Sequence, residues 1–361
     1  MPLDRLSFHG LRNLHPLEMT PGPHINVISG ANGSGKTSLL EGLHVLGMAR
    51  SFRTQKLKAL ITHDAEEMTL FGRLDGDPPR PLGVRRRRDV QELEIRIGGE
   101  RAARVTQLAE ALPLQLINPD AFRLLEGSPA ARREFLDWGV FHAEPVFLDA
   151  WKRVRRALKH RNALLRHDRI DRASIGVWEQ ELAHWSERLD ALREGYMTRF
   201  LPVFEETLAA LLPLPDLSLR YSRGWDRQRA LLEVFESGRD TDRQMGFTQQ
   251  GPQRADLRIR VGRHAAVEVL SRGQQKLVVS AMKLAQGRLL EQLSGQTCLY
   301  LIDDLPAELD GEHRRIFCRW LETLSCQVFI TSVERSALAD VWQPDTDVVA
   351  SCIAGGRLHS E

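Results

Sequence analysis

Apolar residues recur along this chain with two different spacings, and the spacing changes with position. In the first 120 residues, and again after residue 295, they form short runs of strand length separated by glycine, proline and charged residues. From about residue 121 to residue 212 they recur at helical spacing among many arginine, leucine, alanine and glutamate residues. The pattern predicts an α/β fold in two halves, residues 1–120 and 241–361, with a helical lobe and short arm, residues 121–240, inserted between them.

The same patterns predict the individual elements. Residues 85–89 are rich in charge, so we expect them to break the neighbouring strands. Residues 212–225 are predicted to be a turn-rich segment that is followed by a further helix. Outside the lobe, helices are expected from Lys36, from Gly273 to about Leu293, and near 311–324. The predicted strands are residues 3–14 (one strand or a hairpin), 24–28, 68–74, 81–84, 93–97, 257–261, 264–269, 298–302, 327–331 and 348–353.

A glycine-rich motif follows the predicted strand 24–28. Residues 30–37, GANGSGKT, match the pattern G-x-x-x-x-G-K-[ST] between a strand and a helix. Glycines there let the backbone aim N–H groups at phosphates, and the following helix presents its positive end to the same anion. We therefore predict an ATP site in which Lys36 holds the β and γ phosphates and Thr37 is a ligand of Mg²⁺. The predicted nucleotide contacts are Gly30, Ala31, Asn32, Gly33, Ser34, Gly35, Lys36 and Thr37.

Two adjacent carboxylates end the apolar run CLYLI at residues 298–302. A buried strand in this position would deliver Asp303 to the Mg²⁺ ion, and Asp304 would polarise the attacking water, with Lys36 as the second catalytic residue. Two acids at a strand end also occur in ordinary surface turns, but the preceding P-loop favours the catalytic interpretation. The two motifs together predict ATP hydrolysis.

A third motif, LSRGQQ at residues 270–275, opens the helix that precedes the acidic strand. Ser271 is expected to cap this helix and Gly273 to permit close approach of another backbone, which makes the helix start a second anion site. Ser271, Gly273 and Gln274 are therefore predicted to contact nucleotide. The alternative is a serine-capped helix without a ligand.

These motifs, in this order, resemble the RecF family of ABC/SMC-type ATPases along nearly the full length of the chain. Three positions depart from the usual family pattern: Ser38, Gln253, and Ala307 in the segment AELD. The position of the switch histidine of transporters falls near Thr331, and Gln115 is only near the expected position of a Q-loop glutamine. The segments that carry the resemblance are residues 6–14, 30–43, 49–54, 118–137, 158–165, 251–257, 270–276 and 302–310.

The resemblance implies a fold and a function. The fold would be an ABC/SMC-type P-loop ATPase head with a β-rich subdomain and an inserted helical lobe, in which residues 270–275 complete the nucleotide site of a second subunit. The activity would be a weak, DNA-stimulated ATP hydrolysis by a homodimer that forms on ATP. The family also implies binding of double-stranded DNA next to single-stranded gaps and, with RecR, promotion of RecA loading in recombinational repair, DNA replication and the SOS response.

Basic clusters supply the predicted DNA contacts, which are phosphate contacts because aromatic residues make up only 6% of the chain. Each cluster has an ordinary alternative: arginines beside a turn and a charged helix face are both common on solvated surfaces. The predicted contacts are Arg50, Arg53, Arg85, Arg86, Arg153 and Arg156, with Arg87, Arg88, Lys152, Arg155, Lys159 and Arg161 in the same clusters.

The composition limits the classes of protein and the functions that the chain can have. The chain is 42% hydrophobic and 27% charged with a net charge of +2, and it has no apolar run long enough for a membrane span, so we expect a cytoplasmic protein without membrane contact. The four cysteines lack metal-ligand spacing and are expected to be structural thiols, with Cys298 and Cys352 in buried strands. An ABC-type ATPase subunit that energises a transporter is the first alternative function, and an SMC-like tether, which would need a much longer arm, is the second.

Overall fold

A computed structural model of the protein describes residues 2–167 and 171–360. The chain forms two compact units, the first from residues 1–121, 207–213 and 272–361, and the second from residues 122–206 and 214–271. Within the described part of the chain, no helix is both apolar and long enough to cross a membrane.

The described residues form strands β1 to β15 and helices α1 to α11, numbered in chain order. The strands are β1 (Leu3–His9), β2 (Leu17–Met19), β3 (Ile25–Ser29), β4 (Glu67–Leu74), β5 (Arg80–Arg87), β6 (Leu93–Ile97), β7 (Glu100–Arg101), β8 (Leu114–Ile117), β9 (Leu217–Ser222), β10 (Asp256–Val261), β11 (His264–Ala265), β12 (Leu299–Ile302), β13 (Val328–Ser332), β14 (Val348–Ala354) and β15 (Arg357–Ser360). The helices are α1 (Lys36–Met48), α2 (Thr106–Ala111), α3 (Arg123–Glu126), α4 (Pro129–Ala143), α5 (Phe147–Leu165), α6 (Arg172–Leu211), α7 (Leu231–Met245), α8 (Ala266–Val269), α9 (Arg272–Ser294), α10 (Leu305–Glu308) and α11 (Gly311–Glu322).

Two six-stranded sheets make up the first unit. One is antiparallel, in the order β2-β1-β4-β5-β6-β7. The other has the order β15-β14-β3-β13-β12-β8, in which all neighbours are parallel except the β14–β15 pair. Because carboxyl ends of parallel strands meet at one edge of a sheet, the residues that follow β3, β8, β12 and β13 share that edge.

Helix α1 contacts both sheets, through β4 and β5 on one side and β8 and β13 on the other. Eleven of its 13 residues are buried, so it lacks the polar face of a surface helix. Close packing explains two glycines: a Cβ on Gly42 would stand 2.6 Å from the Phe8 ring, and one on Gly72 would stand 2.5 Å from a methyl group of Leu46. The helix that begins in the P-loop is therefore held between two layers of the core.

The second unit combines α3, α4, α5, α7, α8 and α6 up to residue 206 with a small antiparallel sheet of order β11-β10-β9. The predicted domain boundaries at residues 120 and 240 were drawn from composition. The second unit continues to residue 271 because β9 and β10, which lie on either side of α7, pair with each other over six residues.

Several sequence predictions of local structure were wrong. Residues 85–89 do not interrupt the strand: β5 continues to Arg87, paired with β4 and β6. The segment 212–225 contains strand β9, and residues 266–269 form the helix α8 instead of the second arm of a hairpin. Cys352 is only partly buried, because β14 has a half-exposed face, whereas Cys298 is buried as expected.

Candidate nucleotide site

The shared edge of the parallel sheet brings the P-loop and the acidic strand end together. The Thr37 hydroxyl donates to both carboxylate oxygens of Asp303, at 3.1 and 3.2 Å, although the two residues are 266 positions apart. Thr37 lies in the first turn of α1, which follows β3, and Asp303 directly follows β12. A hydroxyl and a carboxylate in this arrangement are the ligand types that hold Mg²⁺ beside a nucleotide phosphate.

The P-loop between β3 and α1 has the backbone of an anion-binding loop. Gly30, Gly33 and Gly35 have φ angles of 150°, 77° and 120°, which other residues rarely adopt. At Gly30 a Cβ would also stand 2.3 Å from the carbonyl oxygen of Ile353, so no side chain fits there. The Ser34 hydroxyl is buried without a hydrogen-bond partner among the described residues, which leaves a polar atom for a ligand to satisfy.

The ammonium of Lys36 folds back over this loop. Its Nζ donates to the carbonyl oxygens of Gly30, at 2.6 Å, and Ala31, at 3.0 Å. The side chain is buried. Because both of these partners are neutral carbonyl groups, no carboxylate among the described residues neutralises the ammonium. Its positive charge is therefore available to a phosphate.

Thr331, at the carboxyl end of β13, links the two acidic residues. Its fully buried hydroxyl donates to Asp303 Oδ1 at 2.8 Å and accepts the Asp304 backbone N–H at 2.8 Å. Asp304 itself has a φ of 52°, a left-handed conformation that non-glycine residues adopt at some energetic cost. The sequence pointed to Thr331 only as the residue near the transporter switch position, and its two contacts were not foreseen.

A charged cluster beside the P-loop was not predicted from the sequence. Glu41 on α1 is fully buried and accepts two hydrogen bonds from Arg12, both at 2.9 Å. Arg53 lies 3.8 Å from the same carboxylate, and Ser51 also donates to it. The charged side chain of Glu41 at a buried helix position was the only available signal. Of this cluster, Arg12 and Arg53 line a cavity of about 470 Å³ together with the P-loop and Asp303. The lining residues are Arg12, Asn13, Asn32, Gly33, Gly35, Lys36, Thr37, Ser38, Arg53, Asp303 and Asp304.

Gln115 lies away from this cavity. On β8 its buried side chain donates to Gln286 at 3.0 Å and accepts from Lys283 at 3.2 Å, both on α9. Burial lowers the pKa of Lys283 to about 8. The residue that reaches the edge of the sheet is Asn118, which directly follows β8, the strand that pairs with β12.

The residues of the third motif lie at the start of α9. Ser271 is exposed and precedes the helix, and a Cβ on Gly273 would meet no atom within 4 Å. Gly273 and Gln274 belong to the same compact unit as the P-loop, yet within the described part of that unit they do not line its cavity. Their contact with a nucleotide stays a prediction.

The predicted DNA contacts have diverse surroundings. Arg53 lines the P-loop cavity, whereas Arg50 is exposed. Arg85 is bonded to Glu67 at 2.7 Å, and Arg86 donates to the carbonyl of Gln91, so both are tied to their own sheet.

The remaining candidates lie on α5. Arg153 stands over the Trp185 ring at 4.6 Å, and Arg156 stands 5.9 Å from the Trp178 ring. Arg161 cannot contact DNA as predicted, because it is fully buried and paired with Glu179 at 3.0 Å.

Comparison with known proteins identifies the family. The model of the RecF/RecN/SMC N terminal domain family matches residues 2–348. A protein of Chromohalobacter salexigens described as DNA replication and repair protein RecF is 75% identical over 361 residues, which cover all of both chains. A Pseudomonas aeruginosa protein with the same description is 53% identical over 360 residues, 99% of this chain and 97% of the relative.

Solved structures show the same fold at lower sequence identity. A structure described as the recombination mediator protein RecF with ATPrS in the RecFOR pathway has a TM-score of 0.86 at 21% identity and covers 99% of this chain and 97% of its own. An Smc head bound to the C-winged helix domain of ScpA has a TM-score of 0.60 at 15% identity, covering 100% and 98%. The predicted ABC/SMC-type head is therefore confirmed, and the chain belongs to the RecF/RecN/SMC N-terminal domain family and, within it, to the RecF proteins.

Proposed function

We propose that this chain is a cytoplasmic DNA-repair ATPase that binds ATP with Mg²⁺, dimerises on ATP and binds duplex DNA next to single-stranded gaps. With RecR it would promote RecA loading in recombinational repair and replication restart. The observation that supports the proposal is the contact between Thr37 and Asp303, because a hydroxyl and a carboxylate that meet beside a P-loop lysine are suited to hold Mg²⁺.

ATP and Mg²⁺ fit the residues that are present. The orphaned Ser34 hydroxyl and the positive-φ glycines suit a phosphate, while Thr37 and Asp303 would hold the metal. Bound Mg²⁺ would neutralise charge on the β and γ phosphates. Both Asp303 oxygens accept hydroxyl hydrogen bonds in the protein, so the carboxylate is already oriented.

The catalytic roles belong to Lys36 and Asp304. Lys36 would exchange its two carbonyl partners for phosphate oxygens, a stronger charge-assisted interaction. Asp304 would polarise the attacking water, since it lines the cavity next to the metal-binding carboxylate. The hydrogen bond from its backbone N–H to Thr331 fixes the position of its main chain.

Dimerisation on ATP would use the start of α9. Ser271 is exposed, and the open space around Gly273 permits another chain to approach. We expect Ser271→Arg to bind ATP normally and to remain monomeric in size-exclusion chromatography with ATP, whereas Asp304→Asn should accumulate as the ATP-bound dimer. A Ser271→Arg protein that dimerises with ATP would disprove the role of this surface.

The DNA-repair part of the proposal draws on the relatives, whose descriptions name replication, repair and the RecFOR pathway. The test is steady-state ATP hydrolysis with and without duplex DNA at low and high salt, beside Lys36→Ala. Salt-sensitive stimulation by duplex DNA is expected, with no hydrolysis by Lys36→Ala. A rate of hydrolysis that does not change with DNA would refute the DNA-dependent function. It would favour the alternative, an ATPase regulated by another partner, such as a transporter subunit.

A further inference from the structure

One face of the small sheet of the second unit carries three arginines, and Asp256, the carboxylate at the same alternation on β10, is paired with Arg132 at 2.7 Å. Residues of β9 and β10 alternate: Leu219, Leu257 and Ile259 are buried, while Arg220, Arg258 and Arg260 point to the opposite, exposed face. This face and the turns beside it form an open groove of about 500 Å³, whose lining includes no acidic residue. The arginines of the groove, which we call the arginine groove, are Arg220, Arg223, Arg227, Arg258, Arg260 and Arg263.

The pairing of the strands places like charges against each other. Arg220 lies directly opposite Arg258 in the β9–β10 register, and Arg260 is two residues farther along β10. Like charges directly opposite in an antiparallel pair are destabilising. Among residues 2–167 and 171–360, Arg220, Arg258 and Arg260 have no ion pair that would relieve this repulsion. An unrelieved repulsion on an ordered sheet indicates that the charges serve a ligand.

The other side of the groove is ordered by its own contacts. Arg223 lies 3.6 Å from Asp190 and covers the Trp225 ring at 4.5 Å. Its Nε and the Trp225 Nε1 are both buried with no hydrogen-bond partner in the described part of the chain. Arg227 is paired with Glu194 at the exposed rim. These contacts hold the side chains of the wall in place, and two of its N–H donors have no acceptor among the described residues.

The chemistry of the groove favours a phosphate backbone. Every cation in it is an arginine, whose planar fork donates two parallel hydrogen bonds to a phosphate. The two aromatic side chains of the lining are already engaged, Trp225 by burial and Tyr221 by a hydrogen bond to Asp190 at 2.8 Å, so neither offers a free ring to a single-stranded base. An acidic protein partner would need exposed apolar or aromatic anchors, which the groove lacks.

We infer that the arginine groove binds the sugar–phosphate backbone of duplex DNA, with Arg220, Arg258 and Arg260 as the central contacts. The inference rests on the proposed DNA binding of the chain and assigns it to a surface. Arginines two residues apart on β10 are about 6.6 Å apart along the strand, so they would contact separate phosphates. None of these residues is in a basic cluster that the sequence singled out.

The test compares two triple variants of the full chain with equal loss of charge. Arg220→Gln/Arg258→Gln/Arg260→Gln removes the central contacts. The control, Arg73→Gln/Arg96→Gln/Arg101→Gln, removes three arginines of the first unit that are paired with Asp4, Glu94 and Glu92. Binding of a fluorescent duplex is measured by anisotropy over a range of salt concentrations, with ATP binding and thermal unfolding as checks of folding.

The groove variant should bind duplex at least about tenfold more weakly than wild type near 0.15 M salt, and the slope of log K against log salt should fall by up to about 2.7, or 0.9 per lost phosphate contact. Its unfolding temperature should be unchanged or higher, because the opposed charges are gone. The control should bind almost as the wild type does.

The test distinguishes failure of the proposed DNA function from failure of the groove assignment. If the wild type does not bind duplex, the proposed DNA function fails. If wild type and groove variant bind equally, or the two triple variants weaken equally, the groove assignment is wrong while DNA binding stands. The groove assignment would also be wrong if the groove variant lost only the binding of single-stranded DNA. It would be wrong too if poly-glutamate competed as effectively as a duplex of equal charge.

Discussion

Replacing Thr331 by valine removes a single hydroxyl from the junction of the two acidic residues. Valine keeps the volume and β-branching that suit the buried strand β13, so packing is preserved. Two hydrogen bonds disappear: the one donated to Asp303 and the one accepted from the Asp304 N–H, both at 2.8 Å. The first has a charged acceptor, and loss of the second leaves a partly buried N–H donor without its partner.

The expected magnitude follows from these two losses. An unsatisfied buried donor lowers the free energy of unfolding by about 1–3 kcal/mol, and a hydrogen bond to a charged group contributes about 1.5–3 kcal/mol. If the contribution of the hydrogen bond to Asp303 acts fully in the transition state, hydrolysis falls by roughly 10- to 160-fold, at about 1.36 kcal/mol per tenfold. Because both effects come from the hydroxyl, Thr331→Ser should restore most of each.

The assay is Mg²⁺-dependent ATP hydrolysis over a range of Mg²⁺ concentrations, with urea unfolding of the same proteins. We expect Thr331→Val to need more Mg²⁺ and to have a lower kcat, while Lys36→Ala defines the background. Equal kcat and equal Mg²⁺ dependence in the valine and wild-type proteins would show that Thr331 does not position Asp303. A valine protein that is less stable but fully active would limit the hydroxyl to a structural role.

Three further predictions concern buried charges. Burial lowers the pKa of His44 from 6.5 to about 4. As the pH falls from 6.5 to about 4, the unfolded chain is protonated before the folded protein, so the free energy of unfolding decreases by up to about 3 kcal/mol. In the His44→Gln protein the midpoint of urea unfolding should depend less on pH across that range. Burial also lowers the pKa of Lys283 from 10.5 to about 8, so Lys283→Met should stabilise the protein by up to about 3 kcal/mol at pH 7 and less at pH 10 in the same measurement. Arg161→Met should lower the unfolding free energy by about 3–5 kcal/mol, since Glu179 and Asp242 would be left buried with less compensation; an unchanged midpoint would contradict this.

The sequence predicted the nucleotide site where its signals are local. The P-loop is a continuous run of residues, and Asp303 directly follows an apolar strand. Both follow parallel strands of the same sheet, so they lie at the same edge of that sheet. The contacts of Glu41 with Arg12, and of Thr331 with Asp304, join segments that only the tertiary fold brings together. No spacing rule predicts such pairs.

The errors have similar causes. Arg161 lies at helical spacing from Val154, Ala157 and Leu165, which are buried with it in the structure, although the sequence pattern put it in the charged cluster of the helix. Its charge argued for the surface, because its acidic partners lie 18 and 81 positions away and cannot be recognised from the sequence. Strand β9 was missed since prolines precede it and its pairing partner, β10, lies beyond a whole helix.

The position of β3 between β13 and β14 has a consequence for synthesis. The ribosome synthesises the P-loop strand about 300 residues before the strands on both sides of it, β13 and β14. At 5–20 residues per second, the roughly 300 intervening residues take about 15–60 s. During that time all five residues of β3, which are buried in the folded protein, lack their partner strands. The nascent chain therefore cannot complete the sheet edge that carries its nucleotide site until β13 and β14 have been translated.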